Sequence, residues 1–266
     1  MQTPRSFLFV PANRTERYSK ALNSGSDAVI IDLEDAIPTE HKLESRALLK
    51  QWLLDHPTEK VMIRVNAEQT EWFNDDIQLA QIPNVIAIIL PKAERQQAFT
   101  AIQSIRNIDI YPIIETPYGM AHVEKIAQFP AVKALMFGSI DFQLEMDMSG
   151  DFLELMYFRN RIVLASKLAG IASPIDGVTA DFANTELNQT ETLQAKKLGY
   201  QGKLCIHPSQ VSVVNQAFIP SAEEIQWAQQ VMDAVHLAQG QTISLNGKMI
   251  DKPIISKAEK ILKNTD

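Results

Sequence analysis

Three carboxylates, Asp32, Glu34 and Asp35, close the apolar run of AVIIDLEDAIP, Ala28 to Pro38. An acid carried into apolar surroundings needs a metal, a cation or hydrogen bonds opposite it to offset its desolvation. Polar groups recur at the ends of other apolar runs: Asn13 and Arg14 after SFLFVP, Arg64 and Asn66 in VMIRVN, Lys92 in VIAIILPK, Glu115 in IYPIIET, Asp141 after ALMFGS, Asp176 in IASPIDGV, and His207 in KLCIHP. Carboxylate oxygens supplemented by water suit Mg2+ rather than zinc, and a buried arginine among them neutralises charge. The five histidines, His41, His56, His122, His207 and His236, show no ligand spacing, which argues against a zinc or iron centre. Helix capping, or pairing with Lys92 and Arg64, would use the same acids, and spacing leaves those alternatives open. Cys205 sits beside His207, but KLCIHP alternates along an apolar strand, where a thiol serves as a small hydrophobe rather than a nucleophile.

The elements that position these groups follow from hydrophobic period. Eight short apolar runs alternate with amphipathic helical patterns such as Glu40 to Leu54 and Phe152 to Ala169, the signature of parallel strands joined by crossover helices. Eight such units predict an α/β fold, a (β/α)8 TIM barrel over residues 1–218, with a doubly wound open sheet as the alternative. In such a barrel, chemistry sits at the C-terminal strand ends, where the polar groups fall. Period two puts Met62, Arg64 and Asn66 on one face and Tyr111, Ile113 and Glu115 on one face. Residues 219–266 form a C-terminal helical extension: a helix near Ala222 to Ala238, the segment ISLNGKMIDKP, and a last helix from about Ile254 to Leu262. NGKMID reads as a surface turn carrying an exposed acid.

With 266 residues, 45% hydrophobic and 21% charged, the chain has material for a sizeable core, which excludes disordered and collagen-like classes. A net charge of -7 argues against a general nucleic-acid or anionic-membrane partner, while leaving room for a local basic pocket. The N-terminus has too short an apolar run for a signal peptide, no 18-residue apolar stretch occurs, and the lone cysteine fits a reducing compartment; a cytoplasmic protein is expected.

Eight segments in order, RSFLFVPANRTERYSKAL, DAVIIDLEDAIPTEHK, IRVN, ILPKAE, IIETPYGM, FGSIDF, GKLCIHPSQV and GKMIDKPI, resemble the motifs of the citrate lyase β-subunit-like (CitE-like) family of the HpcH/HpaI aldolase superfamily. That family includes malyl-CoA and citramalyl-CoA lyases. The resemblance runs from Arg5 to about Leu262. It implies a (β/α)8 barrel that uses Mg2+ to make or break a carbon–carbon bond beside a thioester, with Glu115 and Asp141 as protein ligands of the metal. Asp32, Glu34 and Asp35 then hold metal waters and the Arg64 guanidinium, with capping of the next helix as the alternative role for one of them. Arg64 places positive charge where an enolate oxygen develops, and Gly119 and Gly138 leave room for a ligand at backbone amides.

Coenzyme A, as part of the substrate, falls by the same resemblance to Phe9, Arg14 and Lys20. The family's PGNR reads PANR here, with Ala12 in the glycine position. Asp251, in GKMID, corresponds to an acid/base that closes over a neighbouring subunit's site in a homotrimer or dimer of trimers. The implied reaction is retro-Claisen cleavage of a 3-hydroxyacyl-CoA, citramalyl-CoA or malyl-CoA, to acetyl-CoA and a 2-oxo acid. The alternatives are a CoA-independent aldolase of 2-oxo acids and a citryl lyase β-subunit acting on a carrier-protein-bound acyl group.

Overall fold

The computed structural model describes residues 4–150, 152–237, 243–245 and 248–263. Eight strands, β1 (Ser6–Pro11), β2 (Ala28–Asp32), β3 (Val61–Arg64), β4 (Val85–Leu90), β5 (Asp109–Ile114), β6 (Met136–Phe137), β7 (Ile175–Asp176) and β8 (Gly202–Cys205), close a barrel in sequence order. Each is parallel to the next, and β8 returns to β1. The open-sheet alternative is thereby removed.

The intervening helices are α1 (Tyr18–Leu22), α2 (Lys42–Asp55), α3 (Phe73–Asp76), α4 (Gln96–Ile105), α5 (Pro117–Ala121), α6 (Val123–Ala127), α7 (Ser139–Glu145), α8 (Phe152–Ala169), α9 (Thr185–Leu198) and α10 (Pro208–Phe218). The strands read as unbroken apolar runs because both faces are covered. Inward residues, among them Phe7, Ile30, Met62, Ile89, Tyr111, Ile113, Met136, Ile175 and Leu204, fill the barrel. Their outward neighbours Ile31, Ile63 and Ile88 are fully buried as well. Strands β6 and β7 are only two residues long, shorter than the runs ALMFGS and IASPIDGV; Pro174, just before β7, has no N–H to give to a ladder.

Register carries the inward pattern to the barrel mouth. Pairing of β2 with β3 sets Asp32 opposite Arg64, and pairing of β1 with β2 sets Pro11 opposite Asp32. The chain divides into two compact units, Met1–Asn215 and Gln216–Asp266. In the second, α11 (Ala222–Leu237), an antiparallel pair β9 (Ile243–Leu245) and β10 (Lys248–Ile250), and α12 (Lys252–Lys263) gather around Ala228, Val231, Ile250 and Ala258. The segment read as a turn thus contains a strand, while Asn246 and Gly247 lie outside the described residues. No helix among the described residues is long and apolar enough to cross a membrane.

Candidate active site

Arg64, at the end of β3, is held from three sides. Its Nε and Nη2 donate to the two oxygens of Asp32 at 2.7 and 2.6 Å, and Nη1 donates to Asp35 at 3.2 Å and lies 3.1 Å from Glu34 Oε2. The guanidinium lies 4.7 Å over the Phe9 ring, so Phe9 belongs to the wall of this cluster. Asp32 also accepts the backbone N–H groups of Glu34 and Ala36, which folds the acidic loop around its own carboxylate. Burial alone would raise the Asp32 carboxyl, but Arg64 and those N–H groups hold it below its ordinary value. None of the three acids caps α2, whose N-cap position is His41; their hydrogen bonds go to Arg64 and the loop instead.

Lys42, which no motif singles out, pins this loop: its buried ammonium donates to the carbonyls of Leu33 and Glu34 at 2.8 and 2.6 Å. A usable signal was present. Lysine at the first position of α2 opposes the helix dipole, so another interaction must hold it there.

Glu115, just past β5, and Glu34 face a shared shortage of positive charge. Burial, then the charge of Glu34, pushes Glu115 up to about 8, against the pull of the Lys92 N–H and Arg64; Asp141 adds to the rise. Burial pushes Glu34 up to about 7 despite Arg64, and its Oε2 is buried without a hydrogen-bond partner. Three cations, Arg64, Lys42 and Lys92, stand against five carboxylates, Asp32, Glu34, Asp35, Glu115 and Asp141, which leaves two negative charges when all are ionised. A divalent, oxygen-seeking cation fits both that deficit and this donor set. Among the described residues no three His, Cys, Asp or Glu side chains converge as a ready cage; two carboxylates, completed by water and substrate, suit Mg2+.

Lys92 follows β4 with a left-handed backbone, φ 45°, a conformation that disfavours a non-glycine residue by roughly 1 to 2 kcal/mol. Its N–H donates to Glu115 Oε1 at 2.7 Å, and its ammonium lies 3.4 Å from Glu34 Oε1. Gly138 is required by Glu115 itself, since a Cβ there would come within 2.5 Å of Glu115 Cβ and Oε2. Its N–H is given to Ile114 O, and that of Gly119 to Thr116 Oγ1, the N-cap of α5. The two glycines therefore admit the protein's own atoms, and both amides are already bonded.

Other strand-end residues lie apart from this cluster. Asn66 binds Asp76, itself paired with Arg46. Asp176 points away from the barrel interior, between Arg159 of α8 and Lys203 of β8. His207 stacks on Phe182, and burial pushes the Cys205 thiol up to about 12, far from a reactive thiolate. Arg14, 53% exposed and 3.7 Å from Glu16, and Lys20 on α1 are exposed cations on the loop and helix after β1. Ala12 is accommodated without a left-handed backbone: it is buried, and its carbonyl accepts the Tyr18 hydroxyl at 2.7 Å. Asp251 is exposed, and its side chain accepts the Ile254 N–H at 3.3 Å, an N-cap of α12.

The two raised glutamates predict a pH dependence of folding. A folded-state pKa above the ordinary 4.5 means that the folded chain keeps protons the unfolded chain has lost. Their stabilising contribution is full below about 4.5 and is lost as pH rises toward 7 and 8. In the presence of a chelator, urea unfolding should show stability declining from about pH 5 to about pH 8. Glu115→Gln should flatten that decline, and an unchanged slope would contradict the burial of its charge.

The chain as a whole is similar to known proteins. A family model described as HpcH/HpaI aldolase/citrate lyase matches residues 5–208, and one described as a C–C bond lyase of the TIM-barrel fold matches residues 165–266. A citrate lyase subunit beta-like protein of Deinococcus radiodurans is 32% identical over 97% of this chain and 96% of its own. A (3S)-malyl-CoA thioesterase of Cereibacter sphaeroides is 30% identical over 97% and 93%. Among solved structures, CitE of Mycobacterium tuberculosis in complex with magnesium, acetoacetate and coenzyme A is similar with a TM-score of 0.87 at 29% identity, covering 98% of each chain.

Proposed function

The chain belongs to the HpcH/HpaI aldolase/citrate lyase family, and from that premise we propose that it is a Mg2+-dependent lyase that cleaves a 3-hydroxyacyl-CoA of the citramalyl-CoA or malyl-CoA kind. The observation that carries the proposal is Arg64, fixed by Asp32 and Asp35 at the mouth of the barrel beside a deficit of positive charge. Glu115 and Asp141 would hold the metal, which when bound supplies Lewis-acid polarisation of substrate oxygens.

In the cleavage, the 3-hydroxyl group gives up its proton and becomes the carbonyl of the 2-oxo acid as the C2–C3 bond breaks. The electron pair of that bond passes into the thioester as an enolate, and a proton taken up at C2 makes the acetyl methyl. Arg64 meets the enolate charge with a cation whose orientation is set in advance by the two Asp32 hydrogen bonds, so little reorganisation accompanies the step. Phe9 shields one face of the guanidinium from water. Arg14 and Lys20 supply exposed charge for coenzyme A phosphates. Asp251 would donate the proton to C2, from a neighbouring subunit of a homotrimer.

A panel of CoA thioesters incubated with the protein and Mg2+, with products read by mass spectrometry, tests the reading. Acetyl-CoA and a 2-oxo acid in equal amounts are expected. Free coenzyme A with an intact 3-hydroxy acid would instead assign hydrolysis, the activity for which the Cereibacter relative is named. Turnover only of free 2-oxo acids, or only of carrier-bound acyl groups, would overturn the proposal in favour of the other two chemistries. Asp251→Asn serves as an internal probe, because asparagine keeps the α12 cap but cannot transfer the proton. It should bind Mg2+ and coenzyme A normally and lose deuterium exchange at the acetyl methyl. Mixing it with Arg64→Ala subunits should restore turnover, and failure under demonstrated subunit exchange rejects the shared site.

A further inference from the structure

Of the three cations in the cluster, two are fixed by several short hydrogen bonds. Arg64, with its side chain 11% exposed, donates from Nε and Nη2 to Asp32 and from Nη1 to Asp35. Lys42 is buried against two backbone carbonyls. Lys92 differs: its side chain is 41% exposed, and among the described residues its ammonium makes one long contact, 3.4 Å, to Glu34 Oε1. An ammonium carries three N–H donors, so Lys92 has donors left for a ligand.

The backbone gives a second, independent observation. At φ 45°, Lys92 turns its N–H onto Glu115, past β5, while its side chain reaches Glu34, past β2. Glycine would adopt this conformation without strain and make the same N–H bond. The backbone therefore requires no lysine, and the ammonium is the part that only the strained residue supplies. Strain of this kind persists where surrounding contacts over-determine it, most often at ligand sites.

We propose that Lys92 is a substrate-contacting residue of the barrel mouth, whose N–H holds Glu115 in place and whose ammonium receives the carboxylate of the substrate's 2-oxo-acid half. The assignment rests on the lyase reading above. A carboxylate suits this group because the ammonium is a compact point charge on a flexible stem, able to leave Glu34 and follow an entering anion.

The test uses the Mg2+-loaded protein, titrated calorimetrically with pyruvate, glyoxylate and oxaloacetate as probes, together with thermal unfolding. Lys92→Met removes the charge and keeps the strained backbone; Lys92→Gly removes both, and stands in if the methionine variant fails to fold. Both variants should bind the 2-oxo acid at least tenfold more weakly and show a matching rise in KM. Lys92→Gly should unfold about 2 to 4 °C above Lys92→Met, the size expected when modest strain is relieved in a chain of this length. A purely structural lysine would change the unfolding temperature and leave 2-oxo-acid affinity alone. Wild-type affinity in either variant overturns the assignment by itself. Failure of the wild-type protein to bind any of the three acids overturns the lyase reading, and this assignment with it.

Discussion

Glu115→Gln is expected to lower Mg2+-dependent turnover by about a thousandfold or more, equivalent to about 4 kcal/mol of barrier, while making the metal-free protein more stable near pH 8. The opposed signs follow from one cause. Glutamine has nearly the shape of glutamate, and its amide oxygen can still accept the Lys92 N–H that Glu115 Oε1 accepts at 2.7 Å. The close fit against Gly138, which leaves no room for a further methyl, is preserved. Only the charge is lost, and burial disfavours that charge enough to push the carboxyl up to about 8. The neutral amide thus removes a disfavoured charge from the folded state and, on the proposed assignment, an oxygen that would hold the metal. Two measurements separate the effects: the unfolding temperature in chelator, which should rise, and the further increase on adding Mg2+, which should vanish with turnover. A variant that keeps the wild-type response to Mg2+ would exclude Glu115 as a ligand and transfer the charge argument to Glu34.

The strands were legible because both faces of each are buried, which leaves runs of apolar residues that polar loops interrupt. Period two also identified the inward faces of β3 and β5, where Met62 and Tyr111 with Ile113 fill the barrel. It worked less well at short strands. Asp176 follows inward-facing Ile175 and so points outward to Arg159 and Lys203, but two residues of strand are too few for a period to show. Period two puts Asn66 on the face of Arg64, yet its contacts go to Asp76, because the chain has left the strand at Arg64. Spacing alone could not distinguish Glu115 from these residues; the family resemblance separated it, and the proton-retaining burial of its carboxyl supplies a physical reason. The left-handed turn at Lys92 had no marker, since sequence reasoning expects glycine or asparagine at such a φ.

Arg64→Lys is expected to lower kcat by about a hundredfold or more, the scale seen when one preorganised oxyanion donor is removed. The substitution keeps the charge, so a purely Coulombic role would be nearly preserved. What it removes is geometry: the two parallel hydrogen bonds to Asp32, the reach from Asp32 to Asp35, and the planar face against Phe9. An ammonium cannot span those partners at once, so it would be drawn to one acid and away from the position where charge develops. Substrate binding, which depends on several groups, should change less than kcat, and that split distinguishes loss of orientation from loss of affinity. Coupling supplies a second check. If Asp32 acts by orienting Arg64, Asp32→Asn should itself lower kcat, and adding Arg64→Lys to it should cause a smaller further loss than Arg64→Lys causes alone. Independent, additive losses would mean that Asp32 does not act through the guanidinium. A near-normal kcat in Arg64→Lys would reduce Arg64 to a counter-charge for Asp32, and the developing negative charge would then have to be met elsewhere in the cluster, where Lys92 has the partly exposed side chain.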